Sequence, residues 1–145
     1  MNKKVAYFSR SGNSKRIAEK LARGLGCKTI EITDSMDWSG IVGFVKAGFY
    51  TSKNKDLPVK VIGKIYDKDE IIVVSPVWAS HPAQAVRIYL RGREFSKTHL
   101  VLTSSGSTAK KLENRTAFAS VNEIVKKKKN EDEIVNALIK KFAKK

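Results

Sequence analysis

Three short segments of the chain carry side chains whose types and order could do chemistry together. The first is Ser9-Arg10-Ser11-Gly12-Asn13-Ser14, between an apolar run and a helical pattern. It supplies three hydroxyls, an amide and the unpaired backbone N–H groups of a helix start. Those N–H groups and the helix dipole both favour an anion, and Gly12 lets the backbone turn and come close to a ligand. No Gly-Lys-Ser/Thr closes the segment, so it is not a nucleotide P-loop, and it lacks the spaced glycines of a dinucleotide fingerprint. Ordinary capped turns use the same residue types, so taken alone the segment leaves phosphate binding and simple capping equally open. The second segment is Ser75-Pro76-Val77-Trp78-Ala79-Ser80-His81-Pro82, read as a loop stiffened by two prolines. Trp78 can pack in a core or stack on a planar ligand; its place beyond a strand end favours stacking. The third is Thr103-Ser104-Ser105-Gly106-Ser107, whose amides can bond the edge of a heterocycle or cap a turn. Jointly the segments offer a phosphate cradle, an aromatic face and polar edge contacts, the parts of a site for a phosphorylated flat cofactor.

The remaining reactive residues are few. His81 reads as a residue that shapes its turn or meets solvent before it reads as an acid–base group, and His99 reads as structural. Cys27 is the only cysteine, which excludes an intrachain disulfide and a dithiol mechanism; a half-buried structural thiol is the expectation. No residue is singled out as catalytic and none as a metal ligand.

Elements that would position the three segments follow from hydrophobic patterning. Val5 to Phe8, Ile71 to Val74 and Leu100 to Leu102 are continuous apolar runs, as strands covered on both faces require. Thr29 to Ile32 and Ala117 to Val121 are weaker strand candidates. Helical spacing appears in Ile17, Leu21 and Leu25, in Ile41, Phe44, Val45 and Phe49, and in Ala85, Ile88 and Tyr89. A last helix runs from Glu131 to Phe142, with acids at its start and Lys140, Lys141, Lys144 and Lys145 at its end, an order that suits the helix dipole. Thr51 to Lys64, polar and holding Pro58, reads as a connection. Strand–helix alternation repeated about five times implies a parallel sheet with helices on both faces. In such a sheet ligands bind beyond the carboxyl ends of the strands, where the three segments fall.

The 145 residues fit one domain, 1–145. No apolar run approaches the ~20 residues of a membrane helix, and no secretory signal is visible at the start, so the expectation is a cytoplasmic protein with no membrane span. The net charge of +15 is the unusual number. It would draw acidic partners, with association weakened by salt. Lys126-Lys127-Lys128-Lys129 is the one tight cluster, read as a solvated turn rather than a nucleic-acid platform.

Val5-Ala6-Tyr7-Phe8-Ser9-Arg10-Ser11-Gly12-Asn13-Ser14, followed by Ile17-Ala18, resembles the flavodoxin signature, and Ser75-Pro76-Val77-Trp78 is similar to the second flavin loop of flavodoxin-like proteins. The resemblance spans essentially the whole chain and is of the short-chain type. It implies a three-layer α/β domain with an open five-stranded parallel sheet in order 2-1-3-4-5, and FMN as cofactor. It places Ser9, Arg10, Ser11, Gly12, Asn13 and Ser14 at the phosphate. Pro76, Val77, Trp78, Ala79 and Ser80 would border the isoalloxazine, and Ser104, Ser105, Gly106 and Ser107 its far edge. Three departures stand out: the third segment has no aromatic, which leaves one ring face open or covered from the Asp37-Trp38 region; the chain is basic where many flavodoxins are acidic; and Arg10 places a cation within the phosphate loop itself. The implied role is an electron carrier; the charge gives it acidic redox proteins as partners, and a monomer that binds no nucleic acid is the expectation. The alternatives are an NAD(P)H-dependent FMN or quinone reductase of the same fold, and a flavin-free docking module.

Overall fold

In the computed structural model, which describes residues 3–66 and 69–143, the alternation of the apolar runs becomes two cores. Val5 and Tyr7 of strand β1 (Lys3–Tyr7) face one side of the sheet with Ile72 and Val74 of β4 (Glu70–Trp78), while Ala6, Phe8, Ile71 and Val73 face the other. Continuous apolar runs are therefore what a period of two demands when both faces are buried. Helices α1 (Asn13–Leu25) and α4 (Glu131–Ala143) cover the first face through Ile17, Leu21, Val135, Leu138 and Phe142. Helices α2 (Gly40–Ser52) and α3 (Gln84–Leu90) lie on the other face, with Ala47, Ala85, Val86 and Leu90 in its core.

The parallel strands run in the order β2 (Thr29–Asp34), β1, β4, β6 (Thr98–Ser104), β7 (Ser120–Val125). Counting parallel strands only, this is the expected order 2-1-3-4-5. The sheet is larger than expected, however. Within the segment read as a connection, Val59–Ile62 forms β3, antiparallel to β2 at the edge. Its four residues follow Pro58, and edge strands tolerate such a neighbour. The supposed loop after β4 is also partly strand: β4 continues to Trp78, and His81–Pro82 folds back on it as β5. The two residues between them, Ala79 and Ser80, have φ of 50° and 67°. Positive φ at both positions is the geometry of a type I′ hairpin turn, usually given to Asn-Gly. The weaker candidate at Ala117–Val121 is displaced, since residues 115–117 form a 3₁₀ turn and the strand begins at Ser120. No α-helix joins β6 to β7, so the strand–helix alternation is interrupted once.

α2 reverses the expected apolar face. Gly43, Ala47 and Thr51, four residues apart, face the body, and Ile41, Phe44, Val45 and Phe49 point to solvent. Small residues are required on the inner side because the helix lies almost against the chain before it. A Cβ on Gly43 would fall 2.0 Å from the Trp38 carbonyl carbon. Lys140 and Lys141 occupy the last turn of α4; Lys144 and Lys145 lie outside the described residues, as do Met1 and Asn2. No helix among the described residues is long and apolar enough to cross a membrane.

Candidate functional site

The carboxyl ends of β1, β4 and β6 open into one cleft of about 1140 Å³. All the residues proposed from the sequence line it except Gly12 and Ser80. Gly12 shapes the first loop from within it, and Ser80 sits in the β4–β5 turn, where its carbonyl oxygen accepts from the Lys111 N–H at 3.0 Å.

The first loop is built to leave donors free. Gly12 is the N-cap of α1, with φ 94° and ψ −9°, and no side chain caps the helix. The helix ladder starts with the Arg16 N–H, which donates to the Gly12 carbonyl oxygen at 3.0 Å. The N–H groups of Asn13, Ser14 and Lys15 precede that bond and cannot be paired within the helix. Gly12 itself donates to Ser9 Oγ at 2.9 Å, which closes the turn. Ser14 Oγ is 2.9 Å from Thr103 Oγ1, a buried contact that pins the first loop to the third. Asn13 Oδ1 accepts from Arg16.

Arg10 does not aim its charge into this loop. Its Nε donates to the Trp38 carbonyl oxygen at 2.6 Å and its Nη2 to that of Gly40 at 3.0 Å, while the guanidinium lies 5.8 Å from the Phe44 ring centroid. The side chain instead ties the first loop to the start of α2. The cations on the opposite rim come from a region that sequence reasoning had assigned to solvent. Lys126 and Lys129 line the cleft beside Asn130 and Glu131. Arg16 and Lys20 both donate to Glu131, at 2.6 and 3.0 Å for the nearest atoms, and hold its carboxyl down to about 2.

The aromatic residues are placed differently from expectation. Trp78 lines the cleft, but its ring is buried and meets Phe8 edge-on at 5.3 Å and Trp38 at 5.2 Å. Trp38 is buried too; its Nε1 donates to Asp34 Oδ1 at 3.0 Å, and burial raises the Asp34 carboxyl above its ordinary value. Trp38 does not line the cleft, so of the two possibilities for the second ring face, open or covered from the Asp37-Trp38 region, its side chain supplies no cover. The aromatic at the rim is Phe44 of α2, with Ala47 and Gly48 below it. Apolar helical spacing was the only sequence signal for Phe44, and it pointed the residue inward. In the third loop, Ser104 Oγ donates to the Ser107 carbonyl oxygen, and the Lys127 N–H donates to that of Ser105 at 3.0 Å. The backbone of Gly106 borders the cleft, and the Lys127 side chain lies against it, 3.0 Å from where a Cβ would be.

The other candidates sit apart. His81 faces a smaller cavity of about 200 Å³ with Arg87 and Arg91, and burial and Arg87 lower its pKa. His99 is buried at the opposite end of the strands, 2.8 Å from Glu70 and 2.7 Å from Ser120. Cys27 packs beside the α1–α4 core, and burial raises its thiol pKa. Among the described residues no cluster of three His, Cys, Asp or Glu could hold a metal ion.

No family model matches the sequence, and no curated protein matches it. Solved structures do match the fold. A flavoprotein from Lactobacillus acidophilus, crystallised in complex with FMN, aligns at TM-score 0.61 and 21% identity over 86% of this chain and 90% of that one. A candidate flavoprotein from Bacteroides uniformis aligns at 0.66 and 16% identity over 92% and 97%. Another from Bacteroides eggerthii aligns at 0.69 and 17% identity over 98% of each chain. With the strand order, these likenesses establish a flavodoxin-like α/β fold.

Proposed function

We propose that the protein binds FMN in the cleft and passes electrons to and from acidic redox proteins. One observation carries the flavin half: uncommitted first-turn N–H groups of α1 lie on the same cleft as the second and third loops. The donor chemistry fits a phosphate, since Ser11, Asn13 and Ser14 line the cleft at a positive helix end whose first-turn N–H groups have no partner within the helix. Asn13, Ser14 and Lys15 would bind the phosphate through their backbones, with Gly12 setting the turn. Pro76 to Ala79 present a stiff wall for a flat ring, and the backbone at Ser105 and Gly106 can bond its polar edge. Phe44 at the rim limits water on one side. Bound FMN would supply reversible one- and two-electron chemistry, and the chain's part is to hold it and set its electrostatics. Crystallisation of the Lactobacillus acidophilus flavoprotein with FMN supports the same choice of cofactor.

The carrier half rests on the small size of the domain and its charge. A net charge of +15 favours acidic partners. The test is kinetic. FMN-loaded protein should show negligible turnover of NADPH with a quinone, and its electron exchange with an acidic ferredoxin should slow as salt rises. Efficient NADPH turnover without a partner would replace the carrier by a reductase, and salt-independent exchange would remove the acidic partner.

A further inference from the structure

Helix α2 turns small residues inward and large apolar ones outward. Its inner side is Gly43, Ala47 and Thr51; its outer side exposes Ile41 at 84%, Val42 at 75%, Phe44 at 68%, Val45 at 63% and Phe49 at 48%. A contiguous exposed patch of this kind marks an interaction surface. The helix cannot roll to hide these side chains, because the contact with Trp38 leaves no room for a Cβ at Gly43.

We propose that this face binds the α2 of a second copy, antiparallel across a two-fold axis, so that the protein is a dimer and not the monomer expected from sequence. The outer face is self-complementary. Its midline is Ile41, Val45, Gly48 and Ser52, spaced as a helix-pairing seam. The bulk lies in the first half, with Ile41, Phe44 and Val45. The second half has a notch, since nothing lies within 4 Å of where a Gly48 Cβ would be. Antiparallel pairing sets the bulk of each copy against the notch of the other, as an isologous contact requires; a parallel pair would set bulk on bulk. Charge agrees with the same arrangement. No charged residue lies on the midline. Exposed Asp37 precedes the helix and exposed Lys53 and Lys55 follow it, so each end meets its opposite across the axis. The two helix dipoles also run antiparallel. Because Phe44 and Gly48 line the cleft as well, the second copy closes part of its rim. The proposal stands on the helix alone and does not depend on what fills the cleft.

The net charge supplies a discriminating readout. Two copies at +15 repel each other, so dimerisation should strengthen as salt screens that repulsion, whereas an anionic membrane or an acidic protein on this face would bind less tightly. Sedimentation equilibrium on the full chain, with and without FMN, across the micromolar range and from low to high salt, should give twice the chain mass, more so at high salt. Val45→Lys should give a monomer with unchanged circular dichroism that still takes up one FMN per chain. Asp37→Lys should weaken the dimer about tenfold, and adding Lys53→Asp and Lys55→Asp should restore it. A monomer at every concentration and salt would overturn the proposal. So would a dimer indifferent to Val45→Lys, or a monomer that binds phosphatidylglycerol vesicles through Val45. A dimer that takes up no FMN would uphold this proposal while refuting the flavin reading.

Discussion

Replacing Gly12 with alanine separates what the first loop does for the fold from what it does for a ligand. At φ 94° and ψ −9° the residue is in left-handed territory, yet an added Cβ would meet nothing within 4 Å. The cost of Gly12→Ala is therefore conformational rather than steric, about 1–2 kcal/mol for an L-residue held at positive φ. For a domain of this size that is a fall in Tm of about 2–8 °C, at about 2–4 °C per kcal/mol. Asparagine visits left-handed backbone more readily, so Gly12→Asn should recover about half of the loss. Thermal melts of the apo protein followed by circular dichroism measure this directly. Gly12→Ala melting with the wild type, or Gly12→Asn costing as much as Gly12→Ala, would refute the backbone argument. The same variants test the ligand. Relaxing the turn re-aims the N–H groups of Asn13 and Ser14, so FMN affinity should fall by about tenfold or more, the equivalent of one lost charge-assisted hydrogen bond. Lost stability with undiminished FMN affinity would mean that the loop does not cradle the phosphate.

Other expectations follow from the same geometry. Glu131, held at about 2 by Arg16 and Lys20 against an ordinary 4.5, has a folded pKa below its unfolded one, so its contribution is complete above pH 4.5 and disappears as pH falls toward 2. Exposure of the pair limits it to about 1 kcal/mol, and denaturant melts of Glu131→Gln should differ from wild type by that amount at neutral pH and converge in acid. Gly43→Ala forces α2 away from Trp38 and should cost about 1–3 kcal/mol by overpacking; an unchanged denaturation midpoint would contradict the close approach. Lys126→Gln with Lys129→Gln should lower the potential for full reduction of bound flavin. A unit charge about 10 Å away under water-like screening contributes about 0.4 kcal/mol, or about 20 mV per charge in a one-electron step. A spectroelectrochemical titration showing an unchanged or raised potential would remove those lysines from the electrostatics of the site.

The cleft was legible in sequence because each loop follows an apolar run. Val5 to Phe8, Ile71 to Val74 and Leu100 to Leu102 read as strands buried on both faces, and strands of that kind fix where their carboxyl ends gather. What escaped was decided by tertiary contact. β3 is short and starts directly after Pro58, so propensity gave it no weight. The β4–β5 hairpin turns on Ala79-Ser80, which lacks the glycine or asparagine that announces such a turn. In α2 the apolar spacing was real but faced outward, because Trp38 excludes any side chain at Gly43 and only the small side of the helix can approach. Trp78 and Arg10 were identified as cleft residues, but their side chains take directions other than the stacking and the phosphate contact expected of them. Burial against Phe8 and Trp38 decided the first, and two carbonyl oxygens near the start of α2 decided the second.

The central claim is that FMN fills the cleft, and the most direct measurement is a titration of the apo protein with FMN, followed by flavin fluorescence and the visible spectrum. Saturation at one FMN per chain, with quenched fluorescence, a perturbed flavin band and weaker binding by Gly12→Ala, is the predicted result. Unchanged flavin fluorescence and spectrum in the presence of excess protein would contradict it.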